Sequence, residues 1–214
     1  MTIEHHPEEA TLAAYAAGAL DLGQHVALAT HLRACPHCRD WVRAMERLGG
    51  ALVADSPEAE LSAGALAKAL ARLDEPPRQT PPEAPETADA PPELPTFVRR
   101  YAFGPWRFVA PRVRMRPIHL PEPSPTRVFL LKSAPDTTML THEHTALEMT
   151  CVLRGAFHHA GGRFGPGDFD LGDETVQHRP QIESGEDCVC LVAMQGELRW
   201  SGFWGRLAQP FVRL

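Results

Sequence analysis

HLRACPHC, residues 31–38, sets two histidines and two cysteines within eight positions. On an α-helix His31 and Cys35 are four positions apart and share a face, and Cys38 reaches the same point even where Pro36 breaks the helix. The pattern H-x3-C-x2-C therefore offers three soft or borderline donors at a spacing suited to zinc, and a closed tetrahedral zinc site takes a fourth. The candidates are His5, His6, His25 and His37. His25 precedes His31 by six residues, roughly 240° around a helix, and faces away; His37 also points elsewhere. His6 is favoured because Pro7 holds it extended at the entry to the first helix, with His5 as the alternative. Two thiolates offset the charge of Zn2+, so such a site tolerates burial. The same cysteine pair suits a redox dithiol or a buried small hydrophobe, but a thioredoxin-like dithiol needs a βαβ context that is missing here.

Outward from this stretch, residues 1–73 read as four short helices. Pro7 with Glu8 and Glu9 opens the first, and DLGQ (21–24) has the spacing of a capping box before the helix that carries His31. Pro36 opens the third at its first position. SPEAE (56–60) predicts a fourth from Pro57 to Leu73, capped by Ser56, with Leu61, Leu66, Leu70 and Leu73 on an apolar stripe. After Gly49-Gly50 that last helix has few obligations to its own bundle and is expected to close on a partner. A core this small benefits from a metal staple.

Residues 74–95, DEPPRQTPPEAPETADAPPELP, hold eight prolines and six acidic residues against one basic one, which predicts an extended, solvated linker. Beyond it, residues 96–214 are rich in Val, Phe, Thr and Gly in short alternating runs, the mark of a β domain. The predicted class is multidomain α + β: a helical domain at 1–73, the linker at 74–95, and an all-β domain at 96–214. The 214 residues carry a formal charge of -6, which gives no footing to nucleic acid. The Arg99–Arg116 stretch, RRYAFGPWRFVAPRVRMR, reads as arginines alternating on an exposed strand face. No run of about 18 apolar residues suits a membrane span. The opening MTIEHHPEEATLAAY is acidic and unlike a signal peptide, so a cytoplasmic location is expected. Five cysteines in a reducing compartment argue against a disulfide framework.

A second constellation lies in TTMLTHEHTALEMTCVLRG, residues 137–155. His142, His144 and Glu148 all fall at even positions and would share one face of an extended strand; His178 follows thirty residues after Glu148. Three histidines and a carboxylate suit a divalent metal, with Zn, Mn, Fe and Ni all compatible. Cys188 and Cys190 share a strand face, as sensor thiols or as small buried hydrophobes. The aromatic tail WSGFWGRLAQPF (200–211) is expected to pack on the β domain or to end in a short helix.

These residues carry two resemblances. H-x3-C-x2-C at the junction of the second and third of four short helices, with a histidine near the N-terminus, resembles the zinc-binding anti-sigma factors. That resemblance implies zinc at His6, His31, Cys35 and Cys38, and an extracytoplasmic-function sigma factor as partner, kept from core RNA polymerase. H-x-H-x3-E-x6-G, from His142 through Glu148 to Gly155, with Gly167 and His178 after it, resembles the two cupin motifs and implies a cupin-like β-barrel with a second divalent metal at His142, His144, Glu148 and His178, zinc among the candidates. The pairing of both modules through a proline-rich segment resembles ChrR-type anti-sigma factors. It implies a 1:1 complex with the sigma factor, no catalytic residues, and a cupin domain needed for release in response to singlet oxygen or related reactive oxygen species. The rival reading is a cupin metalloenzyme, a dioxygenase or isomerase, with an N-terminal zinc module for assembly.

Overall fold

The computed structural model describes residues 2–76, 84–139, 142–172, 177–196 and 198–200, with 142–144, 177–178 and 198–200 described by their backbone. The aromatic tail beyond Trp200 therefore lies outside the described residues. Helices come first: α1 (Glu9–Ala16), α2 (Leu22–Ala34), α3 (Pro36–Ala54) and α4 (Ala65–Ala71), with the short α5 (Thr96–Arg99) leading into the strands.

The local signals explain the first three. Asp21 caps α2, its side chain accepting from the N–H groups of Gly23 and Gln24 while the Gln24 side chain accepts from the Asp21 N–H, a complete capping box. Cys35 ends α2 and caps α3, with Pro36 at the first helical position. The fourth helix departs from expectation. It begins only after Gly64, which sits at φ 78°, and it spans seven residues; the Ser56 hydroxyl, instead of capping it, donates to the Leu52 carbonyl at the end of α3. Leu61, Leu66, Leu70 and Leu73 are all exposed, and so are Leu48, Leu52 and Val53 on the last turns of α3.

The strands are β1 (Ala102–Phe103), β2 (Arg107–Ala110), β3 (Val113–His119), β4 (Arg127–Ser133), β5 (His142–His144), β6 (Glu148–Arg154), β7 (Phe157–His159), β8 (Gly162–Phe164), β9 (Phe169–Gly172), β10 (Gln177–His178), β11 (Gln181–Ile182), β12 (Cys188–Met194) and β13 (Leu198–Trp200). All named pairings are antiparallel. The large sheet runs β1-β3-β4-β12-β6-β9, with β2 also on β3; two smaller sheets run β10-β5-β13 and β11-β7-β8. Among the described residues the β unit is thus three sheets and not one closed cylinder. At Gly155 the chain turns with φ 67°, and a side chain there would strike the Asp187 carbonyl 2.7 Å away.

The large sheet is buried on both sides. Residues at alternate positions, Val128 and Leu130 of β4, Met149, Cys151 and Leu153 of β6, and Val189, Leu191 and Ala193 of β12, form one core with Val26, Ala27, Leu28 and Leu32 of α2. The intervening residues, among them Phe129, Val152, Cys188, Cys190 and Val192, build a second core on the opposite face. α2 is buried over most of its surface because it lies between α1 and α3 on one side and the sheet on the other. At its first turn Gly23 comes so close to β4 that a Cβ would lie 2.6 Å from both the Cβ and the carbonyl oxygen of Thr126. Asp21 locks this approach by accepting from Ser124 Oγ (2.8 Å), Thr126 Oγ1 (2.7 Å) and Gln195 Nε2 (3.0 Å).

Residues 84–95, for which composition predicts a solvated linker, are built into the β unit. Leu94 is fully buried, Thr87 N donates to Arg99 O at 2.7 Å, and Asp89 receives both terminal nitrogens of Arg116 at 2.8 and 3.1 Å. Arg116 itself is buried, over the Phe103 ring and donating to Gly104 O, and so departs from the expected row of exposed arginines.

A candidate metal centre between the helices and the sheet

The α2–α3 junction aligns the two sulfurs. Cys35 leaves the helical conformation (φ −95°, ψ 105°), Pro36 restarts it, and the first turn of α3 brings Cys38 back so that its N–H donates to Cys35 Sγ at 3.5 Å. His31 lies one turn before Cys35 on α2. His6 enters from the N-terminal segment, its Nδ1 3.4 Å from Cys35 Sγ and 3.4 Å from Cys38 Sγ. Among the described residues, one donor atom from each of His6, His31, Cys35 and Cys38 lies within 4.8 Å of all the others, and only His6 is exposed. The other histidines stand outside: His25 stacks on Tyr15 at 4.5 Å, His5 on Phe164 at 4.0 Å, and the His37 ring lies 5.2 Å from that of His6.

The protonation states suit a cation. His31 Nδ1 lies 2.8 Å from the carbonyl oxygen of Gly167; since a carbonyl only accepts, Nδ1 carries the proton and Nε2 presents its lone pair. That Nε2 is buried with no hydrogen-bond partner among the described residues, an orphan of the kind a metal ion satisfies. Burial lowers the His31 pKa to about 4, against the pull of the Gly167 bond, and burial followed by the neighbouring His37 lowers that of His6. Both imidazoles are therefore neutral donors at neutral pH. Burial, then the hydrogen bond and charge of Cys35, push the Cys38 thiol up to about 12, so a thiolate there calls for a cation beside it. Two nitrogens and two sulfurs form a donor set that fits tetrahedral zinc.

Gly167 belongs to the turn before β9. At φ 91° it favours glycine, and a Cβ would meet Ile3 Cδ1 at 2.7 Å, so the N-terminal segment packs directly on it. Neither this bracing from the β unit nor the Asp21 lock follows from the motif spacing. The capping-box pattern marks Asp21 only as a helix start, and the buried Asp168 carries no sequence signal beyond a Pro-Gly-Asp turn.

Of the second constellation, Glu148 lies on the other face of the large sheet. Backbone register pairs His178 directly with His142, on strands β10 and β5; the side chains of His142, His144 and His178 lie outside the described residues. Glu148 lines a largely apolar cavity of about 70 Å³ together with Thr150, Phe157, Asp170, Cys188 and Cys190. Asp170 Oδ2 meets His159 Nε2 at 3.0 Å in the same wall. The sulfurs of Cys188 and Cys190 lie 3.7 Å apart and buried, and their mutual hydrogen bond, followed by burial, raises the Cys190 pKa well above the usual thiol value.

Residues 96–197 match the model of the ChrR cupin-like domain, and residues 9–39 match that of a putative zinc-finger. The anti-sigma-E factor ChrR of Cereibacter sphaeroides is 37% identical to this chain over 215 residues, covering all of both. The chain belongs to the ChrR family of anti-sigma factors. A chain in the crystal structure of Rhodobacter sphaeroides SigE in complex with the anti-sigma ChrR superposes with a TM-score of 0.73 at 34% identity, over 91% of this chain and 100% of that one. The helices followed by antiparallel cupin-like sheets are thus the ChrR fold. The zinc-finger match spans α1, α2 and the start of α3, and contains His31, Cys35 and Cys38; His6 precedes it. Among the described residues no helix is long and apolar enough to cross a membrane.

Proposed function

We propose that this ChrR-family chain binds an extracytoplasmic-function sigma factor in a 1:1 complex in the cytoplasm and blocks its association with core RNA polymerase. The observation that carries the reading is the apolar surface left open by the helical unit: Leu48, Leu52 and Val53 at the end of α3, and Leu61, Leu66, Leu70 and Leu73 around α4, between 53% and 82% exposed. So many large aliphatic side chains along two consecutive helices exceed the scattered apolar residues of an ordinary surface and suit a partner that covers them. The solved relative, held in complex with SigE, supports a sigma factor as that partner.

In this reading zinc at His6, His31, Cys35 and Cys38 ties α2, α3 and the N-terminal segment together. Four protein donors leave no open position for water, so the metal is structural and the helical unit does no chemistry. A second divalent metal, zinc among the candidates, is held by His142, His144, Glu148 and His178 at the cavity, supported by the His142–His178 register and by Glu148 on the cavity wall. The cavity then serves release in response to singlet oxygen or related species and not turnover. The chain divides into a helical unit at 1–73 and a β unit at 96–214, with residues 84–95 of the intervening segment packed on the β unit.

The test is co-expression of the full chain with a cognate sigma factor and chromatography of the product. A 1:1 complex is expected, with Leu66→Asp/Leu70→Asp abolishing it while the thermal midpoint stays unchanged, because both side chains are exposed. A monomeric chain that turns over small keto or thiol substrates would instead establish the cupin metalloenzyme.

A further inference from the structure

We propose that Asp168, in the turn of the β unit before β9, is a positioning residue for the metal centre: it sets the N-terminal segment so that His6 meets the two sulfurs. This rests on the reading of His6, His31, Cys35 and Cys38 as a zinc site. Asp168 is 4% exposed. Its Oδ1 accepts from Glu4 N at 2.7 Å and His5 N at 2.9 Å, and its Oδ2 accepts from Gly165 N at 2.8 Å. A buried carboxylate held by three main-chain N–H groups is a strong, short-range clamp. Phe169 N adds a bond to His5 O at 3.1 Å. The two residues immediately before His6 are thus fixed at three points to one turn, and Pro7 follows on the other side.

The same turn holds the second histidine, since Gly167 O accepts from His31 Nδ1. The centre is therefore divided in its support. The two cysteines are placed by the α2–α3 junction within the helical unit, whereas the two histidines are braced by consecutive residues, Gly167 and Asp168, of the β unit. Partners of this outer kind fix ligand orientation and typically change metal affinity by about 10–100-fold when lost. Two residues beyond Asp168, on β9, Asp170 lines the cavity. One short segment thus contributes Asp170 to the cavity wall and braces the histidine half of the metal centre, and a displacement of that segment would change the histidine donors while leaving the cysteines in place.

The experiment uses the full chain loaded with Co2+ in place of zinc, read by its visible ligand-field spectrum and by the rate at which a chromophoric chelator removes the metal. Wild-type protein gives the intense bands of a tetrahedral two-sulfur, two-nitrogen site. Asp168→Ala is expected to keep sulfur-to-cobalt charge transfer, to shift and weaken the ligand-field bands as His6 departs, and to lose metal at least about 10-fold faster. Asp168→Asn, which retains one oxygen for the Glu4 and His5 N–H groups, falls between the two. Asp21→Ala loosens the same helix–sheet contact at the opposite end of α2 and should leave the spectrum unchanged, which separates positioning from general destabilisation. Wild-type spectra and release rates in both Asp168 variants would overturn the proposal while leaving the zinc reading intact. Failure of wild-type protein to show the sulfur-to-cobalt charge transfer and tetrahedral bands of one equivalent of cobalt would overturn both, since the cavity metal has no sulfur donor to give them.

Discussion

His31 and Gly167 meet across the boundary between the units, the imidazole Nδ1 donating to the main-chain oxygen at 2.8 Å from the last turns of α2 to the turn before β9. The bond fixes the tautomer, and the surrounding burial keeps the ring neutral, with its pKa moved from 6.5 to about 4. The unfolded chain takes up that proton near 6.5, so below this value protonation favours unfolding. Stability is full above about pH 6.5 and declines as the pH falls toward 4, by at most about 1.4 kcal/mol per pH unit from this residue. Urea unfolding of metal-stripped full chain at intervals between pH 7.5 and 4.5 should show the decline, and His31→Gln should flatten it by up to one proton. An unchanged slope in that variant would mean that His31 is not held neutral by the fold.

The His6, His31, Cys35 and Cys38 centre is expected to hold one equivalent of zinc by elemental analysis, and Cys38→Ser should remove that equivalent whatever the cavity holds. Because binding free energy at a structural zinc site is also folding free energy, chelation should lower helical circular dichroism as well. The geometry ranks the histidines: His6→Ala loses the metal, while His5→Ala, which removes a ring stacked on Phe164, retains it. Zinc retained at full stoichiometry by Cys38→Ser, or lost in His5→Ala and kept in His6→Ala, would require a different ligand set.

Gly23 permits the close docking of α2 on the sheet. On helix propensity alone, Gly23→Ala should stabilise by up to about 1 kcal/mol. The added Cβ, however, would lie 2.6 Å from the Thr126 carbonyl oxygen, a main-chain atom that cannot rotate away. The helix must then shift off the sheet and strain the Asp21 bonds to Ser124 and Thr126, a cost of about 1–3 kcal/mol that outweighs the gain. The net loss of up to about 2 kcal/mol is expected to lower the thermal midpoint of the full chain by up to roughly 8 °C; a rise would show that the two units are not in tight contact.

That docking explains where sequence reasoning succeeded and where it stopped. Capping residues, Pro36 and the H-x3-C-x2-C spacing are local, and α2, α3 and the grouping of His31, Cys35 and Cys38 follow from them, whereas His6 against His5 is decided by contacts with the turn before β9 that no local pattern records. The proline-rich composition of 74–95 hid Leu94 and Asp89, whose burial and pairing depend on Arg116 and on strands that composition does not register. A usable signal for the docking was present in CVCLVAM (188–194): seven consecutive residues of β12 are buried, the continuous apolar run of a strand covered on both faces and not the alternation of a half-exposed one. What covers the second face is α2, whose Val26, Ala27, Leu28 and Leu32 are buried against it. Each pattern calls for a partner, and the two are partners to each other. Ser56-Pro57 has the form of a helix start and so predicts a longer α4 than the seven residues observed, because Ser56 is used to close α3.

Glu148 tests whether the cavity takes part in release. It lies on the cavity side of β6, the Thr150 hydroxyl donating to its Oε1 at 3.3 Å, while the neighbouring Met149 and Cys151 face α2. A signal received at the cavity can alter sigma-factor binding only if it interacts differently with the bound and released states. Removing a cavity residue should therefore leave inhibition intact and impair release. For Glu148→Ala, the complex with the sigma factor is expected to form with unchanged affinity and to dissociate severalfold more slowly than wild type when a photosensitiser generates singlet oxygen. The competing site of attack is the metal centre, since sulfur is readily oxidised, although coordination and burial shield Cys35 and Cys38. Release at the wild-type rate by Glu148→Ala would place the sensing chemistry at those two sulfurs and leave the cavity without a part in it.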